Sequence, residues 1–239
     1  MDICNKTNSI AVIEFLNVFL FQLHRVMITK YKYILSILGL LLSMVVSAEE
    51  SEGKRVMIAK DRFSVTVTHA GKKVDIKRNQ DRSHQIDDAF RSTARGRIQP
   101  MHPFQPRQIE TVGELEVLDY LEKRERGESV LLVDTRSAQA VKRGTIPGSI
   151  NIHWKDFGKK KQLVRYFEDV LNVKRSSEGI WNYDISKTLV LFCNGPWCGQ
   201  SSAAIKKLLR AGYPEHKIKY YRGGMQSWLS FGLTIVTPE

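Results

Sequence analysis

The sequence predicts an α/β domain whose parallel sheet is covered by helices on both faces, with a short β-hairpin extension on its N-terminal side. Between residues 130 and 221, uninterrupted apolar runs alternate with segments of helical periodicity. Strands buried on both faces have this composition, and their alternation with helices indicates a parallel sheet. Near residue 65, apolar and polar residues alternate before a glycine turn, which is typical of a hairpin.

The hairpin extension follows an apolar N-terminal segment. Its first strand is predicted over residues 63–69, where Phe63, Val65 and Val67 alternate with polar residues, and its second over residues 74–78. Residues 79–106 are polar and basic and include three prolines, so we expect an irregular linker that wraps the main domain.

The main domain is predicted to start with a helix. Thr111-Val-Gly-Glu114 resembles a capping box, and the helix that follows should end near Gly127. The later elements alternate as strand 130–135, helix 137–142, strand 148–152, helix 162–171, strand 188–193, helix 199–211, strand 217–221 and helix 224–231. Functional residues of such folds gather at the carboxyl ends of the strands.

The N-terminal segment has the layout of an export signal. Two lysines precede an uncharged apolar run over residues 34–46, and small residues follow it. We expect translation to start at Met27, cleavage after Ala48, and export to the bacterial periplasm. An uncleaved segment would instead anchor the chain, which is the one membrane contact that we expect. The predicted organisation is a signal-containing segment (1–48), an extension (49–106) and the main domain (107–239).

The chain has a basic net charge, which by itself excludes few classes of binding partner. Cleavage after Ala48 removes four basic and two acidic residues, so the net charge falls from +12 to +10. The basic residues are dispersed as pairs and are not gathered in one arm. We therefore expect a solvated basic surface, and an exported protein of this kind is not expected to bind nucleic acid.

The mature chain would contain two cysteines, Cys193 and Cys198, in one loop. Cys193 ends the most apolar strand, and a glycine-containing loop and a helix follow it. Free loop amides and the positive end of a helix can stabilise a thiolate or a persulfide, so we expect Cys193 to have a lowered pKa and to act as a nucleophile. The alternative is a buried structural cysteine. Two thiols are too few for a structural zinc site, so we expect no metal and no cofactor.

Four segments resemble motifs of the rhodanese family, and they occur in the order that the family has. They are the Asp-x-Arg segment Val133–Arg136, the segment Gly144–Ile152, the cysteine loop after Leu191, and the segment Gly223–Trp228 with Gly232. The resemblance implies a parallel five-stranded α/β domain. It also implies a sulfurtransferase or sulfur carrier that takes a sulfane sulfur as a cysteine persulfide and passes it to a thiol or other thiophilic acceptor.

The same resemblance implies a role for individual residues. Cys193 would be the nucleophile and the persulfide carrier, while Asp134 and Arg136 would brace or flank it, or would form a purely structural ion pair. The substrate-binding loop would consist of Asn194, Gly195, Pro196, Trp197, Gly199, Gln200 and Ser201. Within it, Trp197 would either cover the sulfur or pack the loop against the sheet.

Two residues of the loop depart from the family pattern. Gln200 stands where longer-loop relatives have an arginine, and the loss of one charge-assisted hydrogen bond costs roughly 1.5–3 kcal/mol of anion binding. The donor could therefore be a small anion or a protein persulfide. Cys198 could be a resolving thiol, with a partner that reduces the resulting disulfide, or a staple that blocks Cys193. A thiol-disulfide redox protein and a non-catalytic binding module remain the alternative functions.

Overall fold

The computed structural model describes residues 55–94 and 96–238. The predicted signal, its start at Met27 and its cleavage site after Ala48 lie outside the described residues, so export stays a prediction. No helix in the described part of the chain is long and apolar enough to cross a membrane.

Strands and helices alternate along the main domain as the sequence predicts. In chain order, the elements are β1 (Ser64–His69), β2 (Lys72–Lys77), α1 (Asp88–Arg91), β3 (Glu110–Val112), α2 (Glu114–Glu125), β4 (Val130–Asp134), α3 (Ala138–Val141), β5 (Ser149–Asn151), α4 (Lys160–Asp169), β6 (Lys174–Arg175), β7 (Trp181–Asn182), β8 (Thr188–Phe192), α5 (Gln200–Arg210), β9 (Ile218–Tyr221) and α6 (Gly224–Ser230).

The main sheet has five parallel strands in the order β3-β9-β8-β4-β5, which confirms the predicted fold class. Its central strand, β8, is buried on both faces. Leu189 and Leu191 pack into the core on one side, and Val190 and Phe192 pack into the core on the other. Because the most apolar strand is central, the residue that follows it, Cys193, lies at the middle of the carboxyl edge.

The two cores differ in what covers them. On one face, β8 packs against α4 and α5. On the other, it packs against α2, α6 and the predicted hairpin, which β1 and β2 form as antiparallel partners. Val65, Val67 and Ile76 of the hairpin are buried beside Leu118 of α2, and burial of such side chains contributes roughly 1.5–3 kcal/mol each. The hairpin therefore completes the hydrophobic core.

The predicted capping box is wrong. Thr111 lies in the edge strand β3, and its hydroxyl donates to the carbonyl of Met101. The helix α2 is instead capped at Gly113, whose N–H donates to Glu116 Oε2 at 2.9 Å. A three-residue edge strand is too short to show an alternating pattern, which is why the sequence did not reveal β3. The short hairpin of β6 and β7 escaped prediction for the same reason.

Candidate active site

The cysteine loop connects the end of β8 to the start of α5, and α6 holds it in place. The N–H groups of Met225 and Gln226 donate to the carbonyls of Cys193 and Asn194 at 3.0 and 2.8 Å. This close approach requires Gly224, where a Cβ atom would lie 2.4 Å from the Cys193 carbonyl oxygen and where φ is +56°. Gly224 of the motif Gly223–Trp228 thus allows α6 to approach the backbone of the cysteine loop.

Trp197 packs the loop against α6. Its indole N–H donates to Gln226 Oε1 at 2.8 Å, and the indole is half-buried. A turn bond from the Cys198 N–H to the Gly195 carbonyl, 2.9 Å long, fixes the backbone on either side of it. Trp197 thus packs the loop against α6, whereas the two predicted roles, covering the sulfur and packing the loop against the sheet, stay predictions.

Both thiols are free and almost completely buried. Cys193 is 2% exposed and Cys198 is 5% exposed. The Cys193 sulfur lies 3.3 Å from the Cys198 carbonyl oxygen and 3.2 Å from the hydroxyl of Ser201, which is in the first turn of α5. The side-chain amide of Asn194 donates to the Cys198 sulfur at 3.5 Å.

The two thiols titrate in opposite directions. Burial, reinforced by the neighbouring Cys198, raises the pKa of Cys193 well above its usual value, so the expectation of a lowered pKa there is wrong for the resting loop. A hydrogen bond from Cys193 lowers the pKa of Cys198 to about 6, and the N–H groups of Gln200 and Asn194 act in the same direction. On acidity, the two thiols therefore differ in direction, and Cys198 is the one that loses its proton more readily.

The first turn of α5 carries two polar side chains toward this site. Ser201 is fully buried, and its hydroxyl bonds to the Cys193 sulfur. The Oε1 atom of Gln200 is buried and accepts no hydrogen bond from the described residues. Gly199, immediately before the helix, is exposed to solvent. Gln200 thus adds an unpaired acceptor, and no charge, to the first turn of α5.

The linker passes over the cysteine loop, a feature that the sequence analysis missed. The Gln99 N–H donates to the Pro196 carbonyl at 2.7 Å, and the Gln99 carbonyl accepts from Arg222 Nε at 2.8 Å. At Gly96, a Cβ atom would lie only 2.3 Å from the Trp197 carbonyl oxygen. We call residues 96–101 the strap. The hydrogen bond from the strap to the loop joins two backbone atoms. Because residues of almost any type can form such a bond, no sequence pattern predicts the strap.

Asp134 and Arg136 form a buried corner beside the loop. Arg136 Nη2 lies 2.6 Å from Asp134 Oδ2 and donates to the Gly144 carbonyl at 2.7 Å, and the Thr145 hydroxyl donates to the same Asp134 oxygen. The intervening Thr135 donates to the Phe192 carbonyl from its hydroxyl and from its N–H. Through Thr135, the Asp134–Arg136 pair supports the end of β8, which Cys193 follows. The charged groups of the pair bind each other and neighbouring oxygen atoms.

The predicted site residues fall into two groups in space. The loop residues surround the two thiols, whereas Asp134 and Arg136 lie one strand away and reach the loop through Thr135. Within the described residues, no cluster of three or more His, Cys, Asp or Glu side chains could hold a metal ion.

Comparison with protein families assigns residues 117–231 to the rhodanese-like domain. This range runs from within α2 to the end of α6 and includes the whole cysteine loop and the Asp134–Arg136 corner. Residues 117–231 thus match the rhodanese-like domain, in agreement with the resemblance of the motifs. No curated protein matches the sequence.

The chain is also similar to solved structures from several organisms. A rhodanese-related protein from Thermoplasma volcanium is 20% identical, with 54% of this chain and 99% of that chain covered and a TM-score of 0.35. A human single-domain sulfurtransferase is 22% identical, with 50% and 95% covered and a TM-score of 0.36. A possible tyrosine phosphatase from Rhodopseudomonas palustris is 21% identical, with 61% and 98% covered and a TM-score of 0.38.

Proposed function

We propose that this rhodanese-like domain is a sulfurtransferase in which Cys193 carries a sulfane sulfur as a persulfide. The observation that carries the proposal is the position of the Cys193 thiol. It lies at the carboxyl end of the central strand, 3.2 Å from the Ser201 hydroxyl and beside the start of α5. Hydroxyl and amide donors at a helix start stabilise a sulfur anion.

The thiolate of Cys198 supplies the base that this reaction needs. It takes the proton of Cys193, and the Cys193 sulfur then attacks the sulfane sulfur of the donor. A new S–S bond forms while the S–S bond of the donor breaks. The electron pair leaves with the rest of the donor, as sulfite from thiosulfate or as a thiolate from a persulfide. An acceptor thiolate then takes the outer sulfur, and Cys193 recovers its proton from Cys198.

The loop favours a persulfide donor over a small dianion. Gln200 offers an amide where an arginine would supply a charge, and the nearby thiolate of Cys198 repels a dianion. An ionised persulfide carries a single negative charge at its sulfur atoms, whereas thiosulfate carries both of its charges on the small reacting anion. The proposed partners are therefore a persulfide donor and a thiol acceptor.

The intact mass of the full chain after incubation with glutathione persulfide tests this function. We expect the wild type to gain the mass of one sulfur atom, removable by a thiol reductant, and Cys193→Ser to gain none. Cys198→Ser should still be loaded, but more slowly, because Cys193 loses its base. Equal loading of Cys193→Ser and the wild type would exclude Cys193 as the carrier.

A thiol-disulfide exchange activity is the second candidate, and the closeness of the two thiols favours it, since the Cys193 sulfur lies 3.3 Å from the Cys198 carbonyl oxygen and each thiol shifts the pKa of the other. The Cys198 thiolate would attack a disulfide of a partner and release one partner thiolate. Cys193 would then attack the mixed disulfide, release the second thiolate and leave a Cys193–Cys198 disulfide. A measured reduction potential near those of cellular thiol buffers supports this activity, whereas a very low potential indicates an inert staple.

A further inference from the structure

Tyr220 is a fully buried tyrosine of β9 whose hydroxyl bonds to no protein group in the described ranges. Other buried tyrosines of the domain do use their hydroxyls. Tyr213 donates to the Lys187 carbonyl, and Tyr221, the next residue along the strand, donates to Glu114 at 2.9 Å. A buried hydroxyl without a partner destabilises a folded protein, so such a group requires an explanation.

The register of the sheet brings Tyr220 to the reactive thiol. Tyr220 pairs with Leu191 of β8, and both side chains lie in the core that α5 covers. Cys193 follows two residues after Leu191, so the alternation of side chains along a strand directs it to the same face. The Tyr220 hydroxyl is therefore on the side of the sheet where the Cys193 sulfur meets Ser201.

Electrostatic effects support this placement. Burial raises the pKa of Tyr220 far above its usual value, and a negative charge on Cys193, where one forms, raises it further. The hydroxyl of Ser201 is near enough to oppose this shift slightly, but its hydrogen bond goes to the Cys193 sulfur. The phenol thus keeps its proton and remains a donor next to both groups.

Packing holds the phenol ring in this orientation. Phe104 of the linker contacts the Tyr220 ring edge to face, with 5.4 Å between the ring centroids. Phe104 is itself 5% exposed, so the ring cannot easily swing away to find a partner. The donor is fixed in place before any ligand is present, as expected for a group that stabilises a charged intermediate.

We propose that the Tyr220 hydroxyl is left unpaired to donate a hydrogen bond to the outer sulfur of the Cys193 persulfide. This inference rests on the proposed function. A persulfide adds one sulfur atom and a negative charge to a site that is almost sealed from water. Buried charge requires hydrogen-bond donors, and bonds to charged acceptors are the strong ones. Tyr220 forms no covalent bond and transfers no proton in this role.

The substitution Tyr220→Phe tests the role, with Tyr221→Phe as the matched control. The control removes the same atom one residue away, from a tyrosine on the opposite face of the sheet. Each full-length variant is equilibrated with a mixture of glutathione persulfide and glutathione, and the persulfidated fraction is measured by intact mass. The pKa of the protein persulfide is measured from the pH dependence of its alkylation.

We expect Tyr220→Phe to lower the equilibrium constant for persulfidation by about tenfold or more and to raise the persulfide pKa. Its thermal unfolding temperature should stay unchanged or rise, because the substitution removes an unpaired buried group. Tyr221→Phe should show the reverse, with normal persulfidation and a lower unfolding temperature, because it breaks a hydrogen bond.

Two results would overturn the inference in distinguishable ways. If the wild type is loaded and Tyr220→Phe has the same persulfide equilibrium and pKa, the role of Tyr220 is excluded while the proposed function stands. If the wild type itself acquires no sulfur, the proposed function fails and the role of Tyr220 fails with it.

Discussion

The Asp134–Arg136 corner and the cysteine loop lie at the ends of adjacent parallel strands, yet their polar groups are used differently. In the corner, opposite charges and neighbouring oxygens bind one another, and no buried polar side-chain atom lacks a partner among the described residues. At the loop, Gln200 Oε1 and the hydroxyl of Tyr220 in the neighbouring strand β9 are buried without a partner among the described residues, and the pKa values of two buried thiols are shifted in opposite directions.

The polar groups of the corner thus serve the fold, whereas those at the loop are available to a ligand. A polar group that the fold has already satisfied has little to offer a ligand, whereas an unsatisfied buried group is destabilising until a ligand completes it. Thr135 connects the two regions through its bonds to the Phe192 carbonyl. The corner therefore supports the position of the loop, and in the proposed function the loop carries out the sulfur transfer.

The largest effect on stability is expected from Asp134→Asn. The substitution leaves the Arg136 charge buried without its counter-ion, which should lower the free energy of unfolding by about 3–5 kcal/mol. The control Asp119→Asn removes an exposed ion pair with Arg62 and should cost less than about 1 kcal/mol. Urea denaturation measures both. Sulfur loading of folded Asp134→Asn should be normal, and its loss would contradict a purely structural corner.

Removal of the Cys193 thiol should shift the titration of Cys198. In Cys193→Ala, Cys198 loses the hydrogen bond that contributes most to its lowered pKa, so its pKa should rise from about 6. A thiolate reacts and a thiol does not, so the pH profile of alkylation by iodoacetamide should move to higher pH. Cys193→Ser retains a donor at that position and should shift the profile less. Identical profiles for the wild type and Cys193→Ala would show that the thiols do not interact.

A cation in place of Gln200 should bring the loop closer to a thiosulfate enzyme. We expect Gln200→Arg to lower the thiosulfate concentration for half-maximal loading by roughly ten- to a hundredfold, the value of one charge-assisted hydrogen bond. Gln200→Met removes the amide without adding charge and should give no gain. An equal gain in both variants would show that removal of the amide, and not the added charge, is responsible.

The smallest effect is expected at the strap. A side chain at position 96 would collide with the Trp197 carbonyl, so Gly96→Val should displace the strap and speed alkylation of Cys193 several-fold. Ile98→Ala is a control in the same segment, since Ile98 is 80% exposed. If the two variants react at the wild-type rate, the strap does not restrict access to the thiol.

The sequence predicted the fold and the position of the reactive loop because both depend on local patterns. A fully apolar strand followed by a glycine-containing loop identified β8 and Cys193. The order of the motifs then gave the resemblance to the rhodanese family, which the match over residues 117–231 supports. The predictions failed for β3 because three residues at a sheet edge carry no periodic signal.

Features that depend on three-dimensional surroundings could not be predicted from the sequence. The unpaired hydroxyl of Tyr220 follows from what lies near it in the folded chain, and the raised pKa of Cys193 follows from the depth of its burial. The strap contacts the loop through the backbone of Gln99, which leaves no signature in residue type. All three bear on the proposed reaction, although none of them determines the fold.

The location of the transferred sulfur tests the central claim most directly. The full chain is loaded with glutathione persulfide and alkylated, and the peptide that contains both Cys193 and Cys198 is fragmented in a mass spectrometer. We expect the additional sulfur atom on Cys193 and an alkylated Cys198. Additional sulfur on Cys198, with Cys193 unmodified, would contradict the account.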